Sequence, residues 1–331
     1  MSRLPPIDWD AAERVGQRLI PAGPVPTREV AEQTVAGLRS ASARAGAHVA
    51  ETARLRPPAS DAPTLVIDRA SWVRANARAM RALLANLDPA DPDLSLSARV
   101  QARTIGAQFG AALSYLGTRI LGQFEPFGDP QRLLLVAPNI LQAQSKLAVD
   151  ADDFLMWVCL HEQTHRFQFA NAPWLREHLI GQLDRFLNAD GVGVGVPRLP
   201  KHGSRPVTML DVFTSPAQRS SFDQVSATMS VLEGHADVIM DRVGSDVVGS
   251  IAVLRRAFDA RRNQQGWHAV ARRLLGLDLK LAQYREGAAF CRRVIGAAGV
   301  DGLNQVFVAP GLLPSLQELR DPDAWVRRVC R

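Results

Sequence analysis

Two histidines and a glutamate stand at a spacing suited to metal-assisted hydrolysis: His161, Glu162 and His165, within Asp152-Asp153-Phe154-Leu155-Met156-Trp157-Val158-Cys159-Leu160-His161-Glu162-Gln163-Thr164-His165-Arg166-Phe167. Residues four apart on a helix lie on one face, so His161 and His165 can aim imidazole nitrogens at one metal ion. Glu162 follows the first histidine about 100° around the helix, close enough to take a proton from a metal-bound water without becoming a ligand. The expected chemistry is attack of an activated water on a carbonyl. Asp152 or Asp153 can cap such a helix, and Phe154, Leu155, Trp157, Val158, Leu160, Phe167 and Phe169 give it a thick apolar covering. The pattern predicts a buried helix. With seven histidines in the chain, so short a motif can also arise by chance, and its weight depends on a third ligand.

A catalytic zinc takes three protein ligands and keeps one position open for water. The continuation His-x-x-Gly-x-x-His is absent, since Gln168 stands at the glycine position and Asn171 at the last histidine. The other arrangement, a glutamate on a second helix with an aspartate four residues on to orient a ligand from behind, excludes Glu177, because Gly181 stands four residues later. Glu233 and Asp237 satisfy it, in Met229-Ser230-Val231-Leu232-Glu233-Gly234-His235-Ala236-Asp237-Val238-Ile239-Met240-Asp241. A carboxylate among Val225, Met229, Leu232 and Met240 needs a metal or a partner. The plainer alternatives are that Glu233 and Asp237 face solvent, or that Glu233 pairs with an arginine. His235, two positions from Glu233, points elsewhere on a helix and is assigned a substrate or transition-state contact. Tyr284 is the other candidate for a second oxyanion donor, against the simpler role of a core aromatic.

The elements that must position these residues are mostly helical. Ala and Arg are plentiful and aromatics make up only 6%, which favours helices over sheets. Helical periods run over residues 8–20, from Thr27 as cap to about Leu55, from Ser71 to Leu87, and from Ser95 to about Gln123. Gly106, Gly110 and Gly117 on the last of these would let a neighbour come close, and the expected neighbour is the His161 helix. Thr64-Leu65-Val66-Ile67-Asp68 and Arg132-Leu133-Leu134-Leu135-Val136 read as strands, the second stopped at Pro138. That second strand could line the active cleft and offer an edge to an extended peptide. A further helix starts at Pro173-Trp174, and residues 188–207 read as a flexible flap. The expected class is therefore mostly α with a small β-sheet (α+β). It is read as one unit over 1–331, with a helical N-terminal part, 1–125, and a metal-site part, 126–331.

Composition narrows the function classes. A hydrophobic share of 47% beside 22% charged residues suits an ordered globular chain. The net charge of +6 prompts a search for a nucleic-acid surface, but Arg255, Arg256, Arg261, Arg262, Arg272 and Arg273 lack interleaved aromatics and are read mostly as a solvated helix face. Neither specific nucleic-acid binding nor membrane insertion is expected. The N-terminus has no apolar signal-peptide core, and Cys159, Cys291 and Cys330 are scattered thiols suited to a reducing compartment, so a cytoplasmic protein is expected.

Several of these stretches, in this order, resemble the zinc-dependent metalloproteases common in actinobacteria, a gluzincin-type family linked by name to deazaflavin coenzyme biosynthesis. The resemblance rests on Ile7-Asp8-Trp9-Asp10, Val136-Ala137-Pro138-Asn139-Ile140, His161-Glu162-Gln163-Thr164-His165, Pro173-Trp174-Leu175-Arg176-Glu177-His178-Leu179, Leu232-Glu233-Gly234-His235-Ala236-Asp237, Leu274-Leu275-Gly276-Leu277-Asp278-Leu279-Lys280-Leu281 with Gln283-Tyr284, and Asp321-Pro322 with Ala324-Trp325. It implies a zincin-like fold with additional helices, zinc on His161, His165 and Glu233, Glu162 as general base, and a peptide or protein substrate. Phe307 and Gly311 depart from the family pattern, where a Trp and an acidic residue are more usual. The rival function is a non-catalytic zincin-like binding protein, with a structural zinc or a partner-binding cleft. Retention of Glu162 speaks against it, because a structural site needs no base.

Overall fold

Asp8 opens the first helix by accepting a hydrogen bond from the Ala11 amide at 2.8 Å, and similar local signals set most of the elements that follow. The computed structural model describes residues 6–59, 62–87, 94–128, 130–147, 149–188, 216–264 and 283–330. In chain order the elements are α1 (Trp9–Leu19), α2 (Arg28–Ala53), β1 (Thr64–Ile67), α3 (Arg69–Leu87), α4 (Leu96–Gly117), β2 (Gly122–Glu125), β3 (Arg132–Val136), α5 (Ala137–Leu147) and α6 (Ala151–Asn171). Then come α7 (Leu175–Asn188), α8 (Pro216–Val243), α9 (Ile251–Gln264), α10 (Gln283–Leu303), two 3-10 turns at Asn304–Phe307 and Pro310–Leu312, α11 (Leu316–Arg320) and α12 (Pro322–Val329). The expected class, mostly helical with a small sheet, is what the chain adopts. Among the described residues no helix is long and apolar enough to cross a membrane.

The chain forms two compact units. The first comprises Met1–Ala50, Pro57–Phe167 and Val243–Leu254; the second comprises Glu51–Arg56, Gln168–Arg242 and Arg255–Arg331. In the first, the three strands lie in the order β1-β3-β2, with β1 parallel and β2 antiparallel to β3. This corrects two expectations. β3 is the central strand, paired on both sides, so it offers no edge to a peptide. The helix expected to run on to Gln123 instead ends at Gly117, and Gly122–Glu125 forms a strand whose backbone is satisfied by ladder pairing with β3.

Leu134 and Val136 of β3 pack into a buried cluster with Ile20, Trp72, Val73, Leu113 and Ile120. A third correction concerns α4. Its Gly106 and Gly110 face α1, not the His161 helix: a Cβ at Gly106 would strike the Asp8 carbonyl oxygen, and one at Gly110 the Ala12 carbonyl oxygen and the Gly16 nitrogen. Gly117 faces Ile20 and Trp72. The atoms met at Gly110 are backbone and cannot rotate away, so Gly110→Ala is expected to separate α1 from α4 at a cost of about 1–3 kcal/mol. A thermal midpoint within error of the wild type would contradict this.

The turn from α4 into β2 is held from inside. Asn139, at the start of α5, donates to the carbonyls of Gly117 at 2.7 Å and Ile120 at 2.6 Å and accepts from Arg69 Nε at 2.6 Å. Arg69 also donates to Pro21 O and Gln142 Oε1, and burial pulls its guanidinium pKa below the ordinary value. Asn139, Pro21 and Gln142, its three partners here, are all uncharged.

In the second unit, α8 and α10 approach to backbone contact. A Cβ at Gly234 would meet the Gly287 carbonyl carbon, and one at Gly287 the Ser230 oxygen. Phe290 of α10 stacks edge-on against buried Trp325 of α12 at 5.4 Å. Trp174 donates from Nε1 to the Phe307 carbonyl at 2.9 Å.

Candidate metal centre

The His-Glu-x-x-His segment lies on α6 as expected, although its cap is different. Asp150 accepts from the Asp153 amide at 3.0 Å, while Asp153 is engaged elsewhere, taking the amides of Gly249 at 3.2 Å and Ser250 at 2.6 Å. The helix is buried along most of its length, Phe154, Cys159, Leu160 and Thr164 being essentially inaccessible. Gln163 anchors it to α2, its amide nitrogen donating to Ser42 O at 3.0 Å and Ser42 Oγ at 2.9 Å. The side chain between the two histidines of the motif thus has a holding role that the sequence did not announce.

On the other side of α6, Glu162 is only 6% exposed and lies against Gly122, the first residue of β2. His161 and His165 are half-buried, with rings edge-on at 4.7 Å and their Nε2 atoms 3.1 Å apart. That separation is what two imidazoles sharing one ion require: Zn–N distances of about 2.05 Å at a tetrahedral angle put the nitrogens about 3.3 Å apart. The third expected ligand, Glu233, lies on α8 in the second unit. Two imidazoles and a carboxylate are a donor set that suits a catalytic zinc, so the residues fit the metal.

The remaining candidates lie on α8 and α10. Asp237 is buried and its carboxylate meets Arg255 at 3.3 Å, while Arg255 also donates to the Asp237 carbonyl and pairs with Asp241, which Arg292 approaches at 3.1 Å. Arg255, expected on a solvated face, is therefore tied into this network. His235 is fully buried, its ring edge-on to Phe307 at 5.1 Å. Gln168 Nε2 sits 2.8 Å from the Leu232 carbonyl and 3.1 Å from His235 Nδ1. An amide nitrogen can only donate, so Nδ1 accepts and this bond assigns the ring proton to Nε2. The side chain of Tyr284 and the proposed flap, apart from Asn188, lie outside the described residues.

Gly122, Asn139, Gln168 and Arg255 are the residues around this centre whose roles sequence reasoning missed. Gly122 fell within the helix expected to reach Gln123, so its place in a strand gave no signal beforehand. The thiols carry no chemistry here: burial, then the nearby Glu162 charge, pushes Cys159 up to about 12 despite Arg44, and burial likewise raises Cys291.

The sequence matches the model of the family described as zincin-like metallopeptidase over residues 7–326. The chain belongs to that family. Zincin-like metallopeptidases are metal-dependent by the design of such a helix, and the His161–His165 geometry accords with this. No curated protein matches the chain. A crystal structure from Chloroflexus aurantiacus, described as that of a candidate hydrolase with a novel fold, superposes with a TM-score of 0.75 at 29% identity, covering 98% of this chain and 99% of that one. A zincin-like hydrolase is thus the coarse identity of the protein.

Proposed function

We propose that this zincin-like protein is a zinc-dependent metallopeptidase of the gluzincin type, with zinc on His161, His165 and Glu233. The observation that carries the reading is the pair of Nε2 atoms of His161 and His165, 3.1 Å apart on one helix, with Glu162 next in sequence and buried against Gly122. Zinc bound there supplies a Lewis acid and a water whose pKa falls to about 7. Glu162 takes the proton from the attacking water and returns it to the leaving amine. Asp237, held by Arg255, stiffens the α8 segment that presents Glu233. His235 and Tyr284 are the candidate donors to the developing oxyanion. The substrate is a peptide or protein in extended form, and the supporting feature is β2, which pairs only with β3 among the described strands. The family match from 7 to 326 supports a single functional unit, and three free thiols suit a cytoplasmic setting.

Purified protein is expected to carry about one zinc per chain and to cleave unstructured peptides, to lose cleavage on chelation and to regain it with added zinc. Fully zinc-loaded protein that leaves a diverse peptide library intact would instead favour a non-catalytic binding protein.

A further inference from the structure

We propose that Gly122 is a positioning residue for Glu162: the missing side chain at the start of β2 is the space in which the glutamate carboxyl is held. The catalytic part of this inference rests on the reading of Glu162 as general base.

A Cβ built on Gly122 would lie 2.5 Å from Glu162 Cγ, 2.8 Å from Cδ and 2.9 Å from Oε1. Real carbon contacts do not come that close, so a side chain at 122 and the present position of the Glu162 carboxyl exclude each other. Backbone conformation does not explain the glycine, because Gly122 is not among the positive-φ glycines of the described residues, which are Gly23, Gly244 and Gly299. A glycine in a strand weakens pairing and gives up side-chain packing, so it marks a place where something must come close. Here that something is the proton-transferring side chain.

The strand cannot easily yield. Gly122 is in register with Leu135, Val136 donates to the Leu121 carbonyl at 2.8 Å, and Asn139 fixes the preceding turn at Gly117 and Ile120. Glu162 is the softer partner, since the atoms met, from Cγ outward, belong to a side chain that can rotate. This distinguishes Gly122 from Gly106 and Gly110, where backbone is met and the fold itself must move. The effect of a methyl group at 122 is therefore to push the base out of place while leaving the architecture standing.

The test is a double-mutant cycle read in two ways. Gly122→Ala is made in the wild-type protein and in Glu162→Ala, and thermal midpoints are measured for all four proteins. A midpoint lowered by Gly122→Ala in the wild type but not in Glu162→Ala establishes the coupling. An equal effect in both backgrounds overturns it. Where peptide cleavage is measured, Gly122→Ala should lower kcat on the order of 100-fold, as for a roughly 1 Å misplacement of a reacting group. KM and zinc content should hold. Loss of zinc, or kcat unchanged, overturns the positioning role. If Glu162→Gln cleaves as fast as wild type, the general-base reading fails, and the midpoint cycle still decides whether Gly122 sets the position of Glu162.

Discussion

Glu162→Gln is expected to lower kcat for peptide cleavage by about 10²–10⁴-fold while zinc content and KM stay near their wild-type values. The amide matches the carboxylate in size, so the buried position against Gly122 is preserved. What disappears is the ability to accept a proton at neutral pH. The metal should remain, because the proposed ligands are His161, His165 and Glu233, and Glu162 is not one of them. The contrast with His161→Ala matters, since that change should lose zinc and activity together. Steady-state kinetics with metal analysis on the same preparation decide the point. A Glu162→Gln protein that keeps its zinc and more than about a tenth of the wild-type kcat would remove Glu162 from the mechanism.

Asn139→Ala carries the largest expected loss of stability outside the metal centre. One side chain satisfies two buried carbonyls and one nitrogen of the Arg69 guanidinium. Its removal leaves all three short of a partner, and the guanidinium is both charged and only 4% exposed. Each unsatisfied buried group costs about 1–3 kcal/mol and a charged one more, so a total of about 3–5 kcal/mol is expected. In a chain of this size that lowers the thermal midpoint on the order of 10 °C. Asn139→Asp separates the contributions, because it restores an acceptor for Arg69 but cannot donate to Gly117 and Ile120. It should fall between wild type and Asn139→Ala. Calorimetry showing Asn139→Ala within a degree or two of wild type would mean that water replaces the side chain without loss.

The same node reaches the chemistry. By fixing the turn at Gly117 and Ile120 it sets where β2 begins, and β2 begins at Gly122, beneath Glu162. Stability of the α4–β2 turn and placement of the base are thus one structural problem.

The elements legible beforehand were those with local causes. Asp8, Thr27 and Ser95 act within one turn, and each accepts from an amide three residues on. The i, i+4 spacing of His161 and His165 brings their Nε2 atoms to 3.1 Å on a single helix, whatever that helix packs against.

What escaped has distant causes. Whether β3 is central or at an edge depends on Gly122–Glu125 pairing with it, and a run of four residues after a glycine-rich helix gives no period from which to read that. Asp153 looked like a cap, but its carboxylate is taken by amides 96 and 97 residues away, leaving the cap to Asp150. The close approach promised by Gly106 and Gly110 was visible, yet its partner, α1, was not. By itself the sequence determined that one helix carries two histidines on one face with a glutamate beside them, because that spacing repeats within one turn of backbone. Only the tertiary structure decided what holds the base in place: Gly122 lies forty positions before Glu162, and that contact is chosen by packing, which periodicity does not encode.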